Sequence, residues 1–225
     1  MDKRQQGTVE VKAERIKISD SIGSISTVAV IPVSMKALIT LAHGAGTNMD
    51  HPFLVKLSDA LAAHGIGTVR FNFRYTEAKQ KRPDPPPVAH AVIKGVLTLA
   101  REHNEKTPIF AAGKSFGGRM STQLLASSDI PFVKGIILYG FPLHPAGKPS
   151  TERGNHLADI NIPMLFLQGS RDALASWPLI KSVCENLPTA TLIQIEGADH
   201  SFTLKGKDPI AVLSDLSNEW IDQQL

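Results

Sequence analysis

The 225-residue chain contains a single cysteine, Cys184. One thiol excludes an intrachain disulfide, so the core alone must hold the fold, and the composition fits a reducing compartment. Cys184 sits in the helical pattern PLIKSVCENL and reads as a small packed residue. No apolar run approaches the ~20 residues that a membrane-spanning helix needs. The opening stretch MDKRQQGTVEVKAERIKI has no apolar signal core. A cytoplasmic address without membrane contact is expected on these grounds. Nor is there a block of like charge: 24 Lys and Arg against 21 Asp and Glu leave a formal net charge of +3. The densest basic stretch, Lys79 to Arg82, reads as a solvated loop, and no nucleic-acid partner is expected. No internal repeat, low-complexity tract or linker interrupts the chain. With 42% hydrophobic residues it is long enough to bury a full core without metals or disulfides. A single domain over residues 1–225 is expected.

What is present is alternation. TVEVKAERIKIS and STVAVIPV are β-branched, alternating segments that predict antiparallel strands near a sheet edge. From there buried strands alternate with amphipathic helices. KALITLAHG, IGTVRFNF, PIFAAG, VKGIILYGF, IPMLFLQGS and TLIQIEG read as strands. PFLVKLSDALAAHG, PVAHAVIKGVLTLAREHN, GGRMSTQLLASS, WPLIKSVCENL and PIAVLSDLSNEWIDQQL read as helices. Such alternation predicts an α/β fold, a mostly parallel sheet with helices on both faces. The two longest loops, RYTEAKQKRPDPPP and PLHPAGKPSTERGN, both follow strands and so belong to the carboxyl edge, where open α/β sheets bind ligands.

FAAGKSFGGR places three glycines, Gly113, Gly117 and Gly118, where a strand meets a helix, although glycine weakens both by roughly 0.5–1 kcal/mol per position. The pattern G-x-S-x-G around Ser115 accounts for them. A strand turning directly into a helix holds the serine in a strained conformation with its hydroxyl exposed above the sheet, and squeezes the flanking positions together. Gly118 is expected to let the helix pack closely on the neighbouring strand.

A serine nucleophile needs a base, and the base needs an orienting acid. In this architecture they follow in the order Ser, Asp or Glu, His. Asp172 in LFLQGSRDAL and His200 in IQIEGADHSF lie just past the last two strands, on the expected edge. Asp199 is expected to point away from its neighbour His200. His64 and His103 fall at helix ends, His51 begins a helix and His90 lies on a helix face. His144 and His156 read as exposed loop residues. The stretch LAHGAG supplies the second requirement of acyl transfer, two backbone N–H donors for an oxyanion. Phe116 and Ala45 are the expected donors, with Gly46 the alternative to Ala45. His43 is expected to be structural. Phe73, Arg74 and Tyr75, ending RFNFRY, are candidates for a pocket wall, Phe71 and Phe73 being equally readable as core. Arg82, opening the stiff RPDPPP stretch, is a candidate carboxylate contact.

HGAGTNMDHPF, RFNFRY with KRPDPPP, GKSFGGRM, GSRDAL and GADHSF together resemble the α/β-hydrolase superfamily over nearly the whole chain. Within it they resemble small lidless bacterial hydrolases related to dienelactone hydrolases, and the branch that includes regulatory subunit three of the animal non-specific lethal complex. The resemblance implies Ser115 as nucleophile, Asp172 as acid and His200 as base. It implies a small-molecule acyl ester as substrate, without cofactor or metal. True dienelactone hydrolases carry cysteine at the nucleophile, so a lactone substrate is not carried over. A thioesterase or peptidase would use the same constellation, and a protein-binding scaffold would use the same fold.

Overall fold

The computed structural model describes residues 9–204, 206 and 208–225. Thr8, at the start of the first expected strand, and the residues before it lie outside the described residues. In chain order the elements are β1 (Val9–Ser19), β2 (Gly23–Pro32), β3 (Ala37–Ala42), α1 (Pro52–Ala63), β4 (Ile66–Phe71), α2 (Arg74–Glu77), α3 (Pro86–His103), β5 (Ile109–Lys114) and α4 (Phe116–Ser127). They continue with β6 (Val133–Tyr139), a 3-10 helix (Glu152–Asp159), β7 (Met164–Gly169), α5 (Trp177–Glu185), β8 (Ala190–Ile195) and α6 (Pro209–Asp222).

Eight strands form one sheet in the order β1-β2-β4-β3-β5-β6-β7-β8. β1 pairs with β2, and β2 with β4, antiparallel; from β4 to β8 every pairing is parallel. Period-two alternation of the strands sorts their side chains onto two faces. Leu38 and Ala42 of β3, Ile109 and Ala111 of β5, and Met164 and Phe166 of β7 pack with α3, α4 and α5. Their neighbours Ile39, Leu41, Phe110, Ala112, Leu165 and Leu167 pack with α1 and α6. Each central strand is thus apolar on both sides, which is why those segments read as unbroken runs.

Helix boundaries follow local chemistry. α1, α3, α5 and α6 all carry proline in their first turn, where the missing N–H costs nothing. Asp208 caps α6 by accepting from Ile210 N at 2.9 Å. α1 ends at His64, followed by Gly65 at φ +74°, where a Cβ would stand 2.9 Å from Ser34 O. Cys184 is buried in α5, and burial pushes its thiol up to about 12. α2 was not expected: it is one turn inside the stretch RYTEAKQKRPDPPP, read as a long loop. Glu77 accounts for it, accepting from Ser26 N at 2.9 Å, Asn72 Nδ2 at 3.0 Å and Arg15 Nη1 at 3.2 Å. Such contacts between distant segments leave no periodicity in the sequence.

Because β3 to β8 run the same way, their carboxyl ends gather on one edge. The segment between β6 and β7, where a lid would be inserted, holds only the 3-10 helix. The fold is lidless, and the edge stays open.

Candidate active site

Ser115 is the single residue between β5 and α4, at φ +50° and ψ −113°. That left-handed conformation is rare for a residue with a Cβ. The glycines around it are sterically required. A Cβ on Gly113 would lie 2.5 Å from the Gly117 carbonyl carbon and 2.7 Å from Gly118 Cα. One on Gly117 would lie 2.7 Å from Ala42 Cβ and from the carbonyl oxygens of Ala42 and His43. Gly117 is therefore pressed against the end of β3 as well as the elbow itself. Gly118 has the expected packing role: its Cβ would stand 2.9 Å from Gly113 O and 3.1 Å from Leu138 Cδ2 on β6.

The structure brings Ser115, His200 and Asp172 together. His200 Nε2 lies 2.8 Å from Ser115 Oγ, and His200 Nδ1 lies 2.7 Å from Asp172 Oδ2. Asp172 is buried in the turn after β7. Its carboxylate also accepts from Leu174 N at 2.7 Å and from Gln168 Nε2 at 2.6 Å. Asp199 is turned away, accepting from Ser201 N and Thr203 N at 2.9 Å each. The backbone bond from Thr203 is the main reason its carboxyl lies below the usual range.

Two residues of this cluster carried no expectation. Gln168, fully buried on β7, bridges Asp172 to the backbone N–H of Phe141 at 2.9 Å. Its sequence signal is a polar residue inside the otherwise apolar run MLFLQG. Lys114, just before the serine, donates from Nζ to His200 O at 2.5 Å and stands 5.2 Å from the centroid of the Phe202 ring. Burial lowers its pKa to about 8, against the opposing pull of Asp172 and Asp199. The His200 loop is held further by Gly169, where a Cβ would stand 2.8 Å from Asp199 O.

The backbone donors are organised from behind. Gly44 O accepts from His43 Nδ1 at 2.8 Å, Thr47 Oγ1 at 2.9 Å and Tyr75 Oη at 3.4 Å. In a trans peptide the Ala45 N–H points the opposite way, so these bonds fix its direction. Among the described residues neither Ala45 N–H nor Phe116 N–H has a hydrogen-bond acceptor. His43 is structural as expected. Its Nε2 accepts from Phe73 N at 3.2 Å, which places the proton on Nδ1 for Gly44 O.

Burial lowers the His43 pKa from 6.5 to about 4. The folded protein binds this proton less readily than the unfolded chain does. The stability from a neutral His43 is therefore complete above pH 6.5 and is lost as pH falls toward 4, by up to about 3 kcal/mol at 1.36 kcal/mol per pH unit. A His43→Gln protein should show a shallower loss of melting temperature between pH 7 and 4 than the native protein. Equal slopes would remove His43 from the account.

Of the candidate pocket residues, Arg74 and Arg82 line the opening beside Ser115. Phe73 and Tyr75 do not; both are buried. Phe73 packs edge-on against Phe71, His43 and Phe116. These two residues correct the expected wall: they support the loop from below. His144 is likewise not an exposed loop residue. It is 3% exposed, donates from Nδ1 to Pro145 O at 2.9 Å, and accepts from Ser176 N at 2.9 Å. His156 is half-buried, 2.8 Å from Thr122 Oγ1. His51 caps α1, accepting from Phe53 N at 3.3 Å, and His64 pairs with Asp215 at 3.0 Å. Among the described residues no group of three or more His, Cys, Asp or Glu side chains is arranged to hold a metal ion. No helix among them is long and apolar enough to cross a membrane.

A strained serine at a strand–helix elbow, on a lidless mostly parallel sheet, defines an α/β-hydrolase architecture. The sequence matches the family described as alpha/beta hydrolase domain over residues 35–220, and the chain belongs to that family. Solved structures carry the same fold at low identity. A dienelactone hydrolase from Anabaena variabilis is 16% identical, with a TM-score of 0.77 over 96% of this chain and 98% of its own. Est1E from Butyrivibrio proteoclasticus is 16% identical, with a TM-score of 0.75 over 94% of this chain and 98% of its own. XC6422 from Xanthomonas campestris, an α/β serine hydrolase without a lid, is 20% identical, with a TM-score of 0.74 over 93% and 95%.

Proposed function

We propose that the protein is a serine hydrolase of carboxylesterase type, acting on small acyl esters through Ser115, His200 and Asp172. The observation that carries the proposal is the hydrogen-bonded chain from Asp172 through His200 to Ser115, at 2.7 and 2.8 Å, ending on a serine at φ +50°. Ser115 Oγ attacks the acyl carbon while His200 Nε2 takes its proton. The oxyanion so formed accepts from the N–H groups of Phe116 and Ala45. His200 then protonates the departing alkoxide, leaving an acyl-Ser115. A water attacks that ester, gives its proton to His200, and releases the acid as the proton returns to Ser115. Asp172 keeps the imidazole in the tautomer that can accept from serine, and stabilises its positive charge.

A protein-binding scaffold is the weaker reading, because it has no use for a strained serine aligned with a base and a buried acid. The likeness to the branch of the non-specific lethal subunit rests on the sequence motifs alone. Thioester and amide substrates use the same atoms, and a panel of matched oxygen esters, thioesters and anilides separates them. The proposal expects the oxygen ester to have the highest kcat/KM; a higher value for the thioester or anilide would reassign the substrate.

With no lid, no apolar surface closes over a long acyl chain. Each methylene that is buried gains about 0.8 kcal/mol, and an open site leaves most of that unrealised. Across p-nitrophenyl esters from acetate to palmitate, kcat/KM should peak among the short chains and show no jump above the micelle concentration. A maximum at palmitate, or interfacial activation, would count against a short-chain esterase.

A further inference from the structure

Ser115 opens onto two cavities. The smaller, about 350 Å³, includes His200 with Phe53 and Leu54. The larger, about 990 Å³, extends over α4, the 3-10 helix and the proline-rich loop before α3. Ala45 and Leu174 line both, so the acyl carbon belongs at their junction. Proton transfer decides which end of an ester goes where. The leaving alkoxide takes its proton from His200, so the alcohol part lies on the His200 side. The acyl part is left with the larger cleft.

That cleft is lined by four guanidinium groups, Arg74, Arg82, Arg119 and Arg153, and by one carboxylate, Asp84, a balance of 4 − 1 = +3. Asp84 is buried and faces the backbone, accepting from Tyr75 N at 3.0 Å. Among the described residues none of the four arginines forms an ion pair within 4 Å. Burial, and then the neighbouring Arg153 charge, hold the Arg119 guanidinium below its usual range. Two like charges meeting in a partly desolvated cleft, unpaired, are stabilised by an anion between them. The planar guanidinium fork suits carboxylate and phosphate oxygens.

We propose that the larger cleft binds a carboxylate or phosphate group carried on the acyl part of the substrate. Its assignment to the acyl side rests on the serine hydrolase reading; the capacity to bind an anion does not.

Two esters of equal chain length test it, mono-p-nitrophenyl adipate and p-nitrophenyl hexanoate. The native protein should turn over the anionic ester with kcat/KM at least about 10-fold higher, and added salt should narrow the gap. Arg119→Gln and Arg153→Gln should each lower kcat/KM for the anionic ester by about 10- to 100-fold, the range for one charged hydrogen bond. Because the two arginines repel, neither substitution should lower the melting temperature, which separates lost recognition from lost folding. Calorimetry of free adipate and of inorganic phosphate with the Ser115→Ala protein identifies the source of the anion by which of them binds. A native protein that treats both esters alike, and binds neither adipate nor phosphate, overturns the proposal and leaves the hydrolase reading standing. Anion binding that is lost in Arg119→Gln, with neither ester hydrolysed, supports the anion site and removes the hydrolase reading.

Discussion

Ser115→Ala should lower kcat for a short acyl ester by about 10⁶-fold, the scale set when a serine nucleophile is removed from a working triad. The protein should stay folded. Among the described residues the only side-chain hydrogen bond of Ser115 is to His200 Nε2 at 2.8 Å, and one such bond is worth about 1 kcal/mol. For a chain of this size that shifts the melting temperature by about 2–4 °C. Alanine also has a Cβ, so it takes over the φ of +50° without new strain. Thr47 and Ser201 line the same cavity, but among the described residues Ser115 carries the one hydroxyl within hydrogen-bond distance of His200 Nε2. A variant that kept activity within 100-fold of native would place the nucleophile elsewhere.

Asp172→Asn should cost about 10⁴-fold in kcat. The carboxylate accepts three hydrogen bonds, from Leu174 N, Gln168 Nε2 and His200 Nδ1. An asparagine has one acceptor oxygen and one donor amide. If the oxygen takes Leu174 N, the amide faces His200 Nδ1 and turns it into an acceptor. The imidazole proton then sits on Nε2, which can no longer accept from Ser115. Asp199→Asn should cost less than about 10-fold, because among the described residues Asp199 has no hydrogen bond to His200 and its carboxylate caps its own turn through Ser201 N and Thr203 N. Parallel kinetics of the two variants decide the matter. If they exchanged behaviour, Asp199 would be the acid.

The parts of the site that were legible in the sequence are those fixed by short-range geometry. Gly113, Ser115, Gly117 and Gly118 are dictated by one turn, and steric demand on a single turn is written in adjacent residues. Asp172 and His200 were found because parallel strands bring their following residues to one edge, whatever the distance along the chain. The fold was legible for a related reason: strands apolar on both faces alternate with helices apolar on one.

What stayed illegible depends on which distant side chains meet. Gln168 ties Asp172 to Phe141 N, 27 residues away, and Lys114 holds His200 O, 86 residues away. His144 is buried because Ser176 N, 32 residues on, needs an acceptor. Phe73 and Tyr75 lie in the right stretch for a wall, yet their side chains turn inward to His43 and Phe116. Of the cleft charge, Arg74 and Arg82 were legible as pocket candidates, but Arg119 and Arg153 were not, since they come from separate elements that only the fold collects.

In the proposed mechanism Ser115 is the nucleophile that becomes acylated. The most direct measurement is mass spectrometry of the native protein after a fluorophosphonate probe, with the adduct mapped to its residue. One adduct per chain, on Ser115 and absent from His200→Ala protein treated alike, is the predicted result. An adduct on a different residue, or a folded protein that takes none, would contradict it.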